Sequence, residues 1–263
     1  FKLKNIISLK EDEIKYNEGS DNEYDSDGDG NPNSTTETNY TYDAAGNQIS
    51  RTTYSDSDAD GTIDQTYHYD YAYDGKGNLT QSIYDVGADG KTDRIINYVL
   101  AYNSAGHLLE QLTLYDYNAD GTPDSKNLNE YTRDANGNEL TRIYTAFTCG
   151  TCTEASYISS TTNTYDEDDN PVSSYTGYDY DGDGKIERST QTESTFNSSG
   201  DYLSRDVSDD SDADGVIDST SAFAATYTSN FYMETMTYEQ DNEADGTMDY
   251  FEEQTSDFTW MCP

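Results

Sequence analysis

The chain has 263 residues, and 53 Asp and Glu against 14 Lys and Arg give it a formal net charge of −39. This charge argues against nucleic acid as a partner, because a phosphate backbone would be repelled, and no stretch has the ~20 apolar residues that a membrane helix needs. Only 32% of the residues are hydrophobic, but 26 are Tyr, so an ordered state must depend on aromatic packing, on backbone pairing and on a counter-charge for Asp.

The first predicted element, residues 1–10, is a basic strand with one apolar face. Apolar residues alternate there with lysines, and this period of two is typical of a strand. The residues that we assign to this assembly strand are Phe1, Lys2, Leu3, Lys4, Ile7 and Leu9. We expect one continuous domain, in which residues 1–24 form an edge strand and first hairpin, residues 25–249 the repeats, and residues 250–263 a C-terminal half repeat.

The sequence repeats at about 31 residues, in about eight units, a period typical of repeat proteins. Glycines mark the period in two interleaved series. One series is Gly30, Gly61, Gly90, Gly121, Gly184, Gly215 and Gly246, and the other is Gly46, Gly77, Gly106, Gly137 and Gly200. Two interleaved series indicate two reversals of the chain in each repeat.

The first glycine series lies in an acidic nonapeptide, which we call the acidic loop. Acidic residues or Asn occupy its positions 1, 3, 5 and 9, and Gly occupies position 6, as in residues 56–64. Three or four carboxylates within nine residues repel one another, whereas Ca²⁺ accepts six to eight oxygen ligands. The pattern therefore predicts about seven calcium sites. Seven bound Ca²⁺ ions would change the net charge from −39 to about −25. We expect an affinity on the order of 10⁻⁴–10⁻³ M, which is typical of extracellular calcium-binding modules.

The candidate calcium ligands are, loop by loop, Asp25, Asp27, Asp29 and Asn33; Asp56, Asp58, Asp60 and Asp64; Asp85, Asp89 and Asp93; Asp116, Asn118, Asp120 and Asp124; Asp179, Asp181, Asp183 and Glu187; Asp210, Asp212, Asp214 and Asp218; and Asp241, Glu243, Asp245 and Asp249. In the third loop Gly87 stands where the second acid is expected. An EF-hand is excluded, because position 12 is acidic only at Glu252 and the predicted flanks are strands.

The second glycine series has the chemistry of hairpin turns. Each turn has the same order: an aromatic residue, then Asp or Asn, then any two residues, then Gly and usually Asn, as in residues 42–47 and 73–78. Stretches of about 7 to 10 residues between the reversals alternate with period two and are rich in Thr, Tyr, Ile and Val. We therefore predict an all-β fold, a repetitive antiparallel hairpin meander of about 17 strands curled into a spiral or solenoid-like sheet. A β-propeller of 62-residue double repeats is the alternative.

Aromatic residues fall into two columns across the repeats. The first column is Tyr42, Tyr73, Tyr102, Tyr165, Phe196, Tyr227 and Phe258, and the second is Tyr24, Tyr54, Tyr84, Tyr115, Tyr178 and Tyr238. We expect stacked rings in these columns to supply the packing that aliphatic residues do not. A carbohydrate platform is the alternative interpretation.

The acidic loop resembles the calcium loop of integrin-type FG-GAP repeats and, less closely, that of thrombospondin type 3 repeats. The turn resembles the YD repeat of Rhs and teneurin proteins, whose hairpins roll into a spiral sheet. Together the two resemblances cover nearly the whole chain, and they imply calcium-bound loops that join strands of a hairpin-repeat shell. The toxin domain and self-cleaving core of Rhs proteins have no counterpart in this sequence, so we do not infer toxin delivery.

A cysteine pair replaces the fifth acidic loop. One period after Gly121 is residue 152, so Cys149 and Cys152 stand where an acidic loop is expected. A short disulfide there would be a covalent substitute for the metal. Zinc binding, haem attachment and thioredoxin-type chemistry lack their further signals. Cys262 is either free or available for a bond to another chain.

The sequence favours an extracellular or cell-surface structural protein that is stabilised by calcium. Its basic first strand and acidic last strand predict head-to-tail self-assembly into a filament or surface array. The alternatives are a monomeric calcium-dependent adhesin, or a module for a glycan or other surface ligand, and a fragment of an Rhs-like shell protein. Neither His68 nor His107 has a nucleophile at a diagnostic spacing, so we expect no catalytic activity.

Overall fold

The computed structural model describes residues 15–28, 30–227 and 233–255, which form one antiparallel sheet of 16 strands without helices. Within this part of the chain, no helix has the length and apolar character needed to cross a membrane. The strands are β1 Lys15–Tyr24, β2 Ser34–Tyr42, β3 Gln48–Asp56, β4 Gln65–Tyr73, β5 Leu79–Val86, β6 Arg94–Tyr102, β7 Leu108–Asp116, β8 Ser125–Arg133, β9 Glu139–Phe147, β10 Tyr157–Tyr165, β11 Pro171–Asp179, β12 Arg188–Phe196, β13 Tyr202–Asp210, β14 Ser219–Tyr227, β15 Met233–Asp241 and β16 Tyr250–Thr255.

The order of strands in the sheet follows the chain from β1 to β16. This order confirms the predicted all-β hairpin meander. It excludes the propeller alternative, because each blade of a propeller would form a sheet of its own. The predicted strand at residues 1–10 lies outside the described residues.

The chain forms two compact units. Within the described residues, the first unit draws on 15–100, 111–127 and 148–152, and the second on 101–110, 128–147 and 153–255. The first unit contains the acidic loops at 25–33, 56–64, 85–93 and 116–124, and the second those at 179–187, 210–218 and 241–249. The predicted domain boundaries at residues 24/25 and 249/250 stay predictions.

Packing in this sheet is unusual because apolar residues do not form its buried part. Within each unit, the strands in contact among the described residues are neighbours in the sheet. Ala225 is the only buried apolar residue in the described part of the chain. Nine polar residues are buried there, and six of them are the first Asp of an acidic loop: Asp56, Asp85, Asp116, Asp179, Asp210 and Asp241.

Aromatic and arginine side chains share one face of the sheet. In the first unit, the pairing places Tyr40, Arg51, Tyr69, Tyr84 and Arg94 in one row across five strands. The Arg51 guanidinium lies 4.2 Å from the centre of the Tyr69 ring, and that of Arg94 lies 5.2 Å from the centre of the Tyr84 ring. Cation–π contacts of this kind stabilise by about 0.5–1 kcal/mol at exposed sites. We call this side of the sheet the arginine–tyrosine face.

The aromatic columns differ from the prediction in two ways. Members of one column are separated by an intervening strand, hence by about 9.5 Å, so ring contacts join adjacent strands instead, such as Tyr69 and Tyr84 at 4.7 Å. The assignment of Tyr54 is wrong, because Tyr54 pairs with Glu37 and Thr66 on the opposite face. A shift of one residue along a strand moves a side chain to the other face.

The hairpin turns are held by their first Asp. Asp74 Oδ1 accepts the N–H groups of Lys76 and Asn78 at 2.8 and 2.9 Å, and the Asn78 side-chain amide donates to Asp74 Oδ2 at 2.9 Å. The turns at 43–47, 134–138 and 166–170 repeat this pattern. The strand register shifts just before the turn at Tyr73, so a bulge accompanies the aromatic residue.

Successive turns also touch each other. A Cβ atom built on Gly137 would lie 2.9 Å from the His107 ring, whereas one on Gly106 would meet no atom within 4 Å. Both glycines have positive φ, 97° and 88°. Gly137 is therefore required for its backbone conformation and for the space that the His107 ring occupies.

We predict that Gly137→Ala destabilises the protein more than Gly106→Ala. Both changes incur the left-handed penalty of about 1–2 kcal/mol, and only Gly137→Ala adds overlap with a ring, at about 1–3 kcal/mol. Denaturant unfolding would measure the two free energies. In a His107→Asn background the two substitutions should cost the same, and an unchanged difference there would contradict the contact.

We predict that the contribution of Asp74 depends on pH. Hydrogen bonds from the Asn78 side chain and then from its backbone lower the pKa of Asp74. Stability from a lowered pKa is present above the unfolded-state value, about 4, and is lost as the pH falls through the folded-state value. Wild type should therefore exceed Asp74→Asn in unfolding free energy at pH 7, and the difference should shrink below pH 4. At the equivalent position of another turn, Asn103 Oδ1 accepts the N–H of His107, so Asp74→Asn should fold. A difference that is constant to pH 2 would contradict this account.

Candidate metal centres

The first Asp of each acidic loop anchors the loop, and it is buried in every loop except the one at 25–33. Asp179 is 1% exposed and Asp56 is 3% exposed. Oδ2 of each accepts the N–H of the glycine at position 6, at 2.8 Å from Gly184 and at 2.8 Å from Gly61. The other five loops make the same bond at 2.8–3.0 Å. Burial of a carboxylate requires such donors, so position 1 shapes the loop before any ion binds.

The acid at position 9 closes the loop. Asp64 accepts the N–H of Ser57 at 2.8 Å and also its hydroxyl, and these bonds, the hydroxyl first, lower the pKa of Asp64. Asp218 has the same two bonds from Ser211 and a lowered pKa for the same reason. In the first loop the Asn33 side chain accepts the N–H of Ser26 at 2.6 Å.

Carboxylate oxygens converge in three of the loops. Ligand atoms that lie within 4.8 Å of one another come from Asp56, Asp58 and Asp64; from Asp179, Asp181, Asp183 and Glu187; and from Asp210, Asp212 and Asp218. Each set is made of oxygen donors alone, which suits hard divalent cations such as Ca²⁺ or Mg²⁺. Several acidic clusters could therefore bind metal ions.

Position 5 joins the cluster only in the loop at 179–187. In the loop at 56–64, Asp60 Oδ1 accepts the N–H of Thr62 at 2.7 Å. The position-5 residues Asp120, Asp214 and Asp245 accept the equivalent bond at 2.7–2.8 Å. Asp183, which joins its cluster, accepts the same bond from Lys185 at 2.9 Å, so this local bond does not prevent a position-5 carboxylate from joining.

Asp210 has an unpaired oxygen inside its cluster. The residue is 6% exposed, and Oδ2 accepts the N–H of Gly215 at 3.0 Å. Oδ1 is buried without a hydrogen-bond partner among the described residues, whereas Asp56 Oδ1 accepts the N–H of Asp60 at 3.2 Å. An unsatisfied buried charged group is costly, so the residues at 210–218 fit a bound cation.

The remaining loops place their candidate ligands differently. The described loops at 85–93, 116–124 and 241–249 bring together no group of three carboxylates within 4.8 Å. In the loop at 85–93, Lys91 donates to Asp89 at 2.8 Å, and this bond lowers the pKa of Asp89. An ammonium group there supplies part of the counter-charge. Metal binding by the candidate ligands of these loops and of the loop at 25–33 stays a prediction.

Position 4 has a role that the sequence prediction missed. It is left-handed in all seven loops, at Gly28, Ala59, Ala88, Ala119, Gly182, Ala213 and Ala244, with φ between 46° and 75°. A left-handed residue at this point directs the chain back across the first Asp. The sequence contains a signal for this role, because only Gly or Ala occurs at position 4 of the seven loops.

The segment that replaces the fifth acidic loop is closed by a covalent bond, as predicted. Cys149 and Cys152 form a disulfide. Gly150 lies so close to the acidic loop at 116–124 that a Cβ atom on it would be 2.1 Å from the carbonyl oxygen of Pro123. The cysteine segment therefore packs directly on a neighbouring acidic loop.

Some candidate residues lie outside the described residues. These are Asp29 of the first acidic loop and Phe1, Lys2, Leu3, Lys4, Ile7, Leu9 and Cys262 of the predicted assembly surface. Their roles stay predictions.

His68 has two polar neighbours on the face opposite the arginine–tyrosine face. Its Nδ1 lies 2.8 Å from the Thr52 hydroxyl, and its Nε2 lies 3.2 Å from Asp70 Oδ1. Thr52 pairs with His68 across the strands, and Asp70 follows two positions later. Strand pairing alone accounts for these contacts. The expectation of no catalytic activity stays a prediction.

No family model and no curated protein sequence matches this chain. Among solved structures, a porin-like protein from Bacteroides uniformis is similar over 93% of this chain and 96% of its own, with 12% identity and a TM-score of 0.34. The Tc holotoxin pore of Photorhabdus luminescens is similar over 90% of this chain and 17% of its own, with 12% identity and a TM-score of 0.19. These scores carry no functional argument.

Proposed function

We propose that this chain is an extracellular structural repeat protein whose sheet is stabilised by Ca²⁺ in its acidic loops. The observation that carries the proposal is the convergence of carboxylates on a buried first Asp, above all at 210–218, where Asp210 Oδ1 is buried and has no partner among the described residues. Removal of a carboxylate from water is unfavourable without a compensating charge. A bound divalent ion supplies that charge.

The ligand types favour calcium among the hard cations. The clusters offer three or four carboxylates in irregular arrangements, and Ca²⁺ tolerates irregular oxygen shells, whereas Mg²⁺ demands near-ideal octahedral geometry. The loops resemble the calcium loops of FG-GAP and thrombospondin type 3 repeats, and the turns resemble YD repeats. An affinity on the order of 10⁻⁴–10⁻³ M suits an extracellular module.

We further propose that copies associate head to tail through their terminal strands. β1 and β16 are the first and last strands of the described sheet, and unpaired strand edges invite strand addition. β16 carries Glu252 and Glu253, which complement the lysines of residues 1–10. Such a contact does not close on itself, so it generates a filament or an array.

The two alternatives are a monomeric adhesin and a fragment of an Rhs-like shell. The first has support from the arginine–tyrosine face of the first unit, which presents rings and guanidinium groups together. Neither alternative requires association of the terminal strands.

We predict that calcium raises the unfolding free energy of the wild type. Asp210→Asn should remove the part of this stabilisation that one calcium site contributes. A site that is filled to 100 times its Kd contributes about 2.7 kcal/mol. Without calcium, Asp210→Asn should be neutral or stabilising, because it removes an uncompensated buried charge. Denaturant unfolding with calcium and with chelator would measure both effects.

Asp43→Asn is the matched control. Asp43→Asn removes one negative charge from a hairpin turn, away from the acidic loops. The equivalent turn positions are already Asn103 and Asn197, so the variant should fold. Its calcium-dependent stabilisation should equal that of wild type. Equal unfolding of wild type in calcium and in chelator would contradict the proposal.

We predict that deletion of residues 1–10 leaves monomers in calcium. Light scattering should show assemblies for the full chain and a single species near monomer mass for the deletion variant. Cys262→Ser should still assemble, which separates strand addition from a disulfide between chains. Assembly that persists after the deletion would remove the role of the first strand.

A further inference from the structure

A reactive dipeptide lies in the hairpin turn at 134–138. Asn136 is the only Asn of the chain that Gly follows, and its side chain is exposed. An Asn amide reacts most readily before Gly, because the glycine nitrogen has no side chain beside it to block its approach to the Asn Cγ. The N–H of Gly137 lies 3.3 Å from the carbonyl oxygen of Asp134, whereas the equivalent glycines of four other turns make this bond at 3.0–3.1 Å. The nitrogen that would react is therefore held more loosely than in those turns.

The Asn136 side chain also joins its turn to the next one. Asn136 Nδ2 donates to Asp169 Oδ1 at 2.9 Å, and Asn138 Nδ2 donates to the same oxygen at 2.7 Å. Asp169 stands where five other turns have Gly, and its φ of 64° is left-handed, a conformation that is unfavourable for most side chains. Two amide donors on one carboxylate thus connect the turns at 134–138 and 166–170, both of which belong to the second unit.

We propose that Asn136 is a site of spontaneous deamidation, which releases this contact between the two turns. The Gly137 nitrogen bonds to Asn136 Cγ, the bond from Cγ to Nδ2 breaks, and Nδ2 leaves as ammonia with the proton of the Gly137 N–H. Water then opens the succinimide ring and leaves either aspartate or isoaspartate at position 136. One water is consumed and one ammonia is released, so the reaction requires no enzyme, oxidant or cofactor.

The products oppose the contact that Asn136 makes. In the aspartate product a carboxylate replaces the amide, so a hydrogen-bond donor is lost and two like charges face each other across the turns. In the isoaspartate product the backbone passes through Cβ and Cγ and gains one atom. Asp134 Oδ1 accepts the N–H groups of Asn136 and Asn138 at 2.9 and 2.8 Å, and the longer backbone displaces the second of these. This inference concerns the turn edge and does not depend on calcium in the acidic loops.

Ageing of the full chain at mildly alkaline pH measures the reaction. Mass spectrometry of its peptides should show the amide-to-acid mass increase at Asn136 before it appears at Asn103 or Asn197, each of which precedes Ser. Fragmentation should resolve an aspartate and an isoaspartate form. Asn136→Gln is the unreactive control, because Gln would have to close a six-membered ring. The Asp-Gly steps of the chain do not interfere, since their isomerisation releases no ammonia and leaves the mass unchanged.

Asn136→Asp reproduces the aspartate product and measures its effect on the fold. Its denaturant midpoint should lie below that of wild type, and Asp169→Asn in the same chain should restore most of the loss, because it removes the opposing carboxylate. Asn tolerates the left-handed conformation, so Asp169→Asn should fold. Asn103→Asp is the matched control. It adds the same charge at a turn position that is already Asp43 and Asp74 in other turns, so its midpoint should not fall.

Three results would overturn the proposal. The first is an intact Asn136 in the folded protein after the same chain, kept in denaturant at the same pH, has converted it completely. The second is a midpoint for Asn136→Asp that equals the midpoint of Asn103→Asp. The third is a loss of stability in Asn136→Asp that Asp169→Asn does not reduce, which would separate the loss from the contact between the turns.

Discussion

The structure depends on the burial of aspartate where other sheets bury aliphatic side chains. The first Asp of each acidic loop is the point on which the chain reverses, and Asp179 is the largest almost fully inaccessible side chain in the part of the chain that the structure describes. A buried carboxylate is favourable only when donors or cations surround it. Backbone N–H groups supply the donors in every loop, and the unpaired Oδ1 of Asp210 shows that donors alone do not complete the set.

This constraint explains the division of labour along each repeat. The strands contribute hydrogen-bonded backbone and a face of rings and guanidinium groups, but little apolar burial. The turns at one edge are self-sufficient, since Asp and Asn satisfy one another there. Three of the described acidic loops at the other edge are not, because their carboxylates converge. The disulfide of Cys149 and Cys152 stands at the same edge, where the sequence lacks the carboxylates that could hold an ion.

Much of the fold could be predicted because its signals are local and repeated. Turn residues at fixed offsets and period-two alternation predicted the hairpins, and a missing period predicted the disulfide. The position of Tyr54 could not be predicted from the column, because one residue of offset reverses a side chain. Residues from different strands form the ring contacts, so the columns were visible in the sequence but their packing was not.

The site was predictable in composition and less so in geometry. Positions 1, 3 and 9 converge in three of the described loops, and position 5 joins them at Asp183. Competing hydrogen bonds do not explain this difference, because Asp183 makes the same backbone bond as Asp60 and the same lysine contact as Asp89. The common face of the arginines was missed because no single strand shows it. It emerges when pairing aligns Arg51, Tyr69, Tyr84 and Arg94 in one row.

The most direct test of the central claim is a crystal structure in millimolar calcium with anomalous scattering data. The account predicts an anomalous peak among the carboxylates of residues 56–64, 179–187 and 210–218, with Asp210 Oδ1 among the ligands of its ion. Well-ordered loops that contain only water, with carboxylates turned outward to solvent, would contradict it.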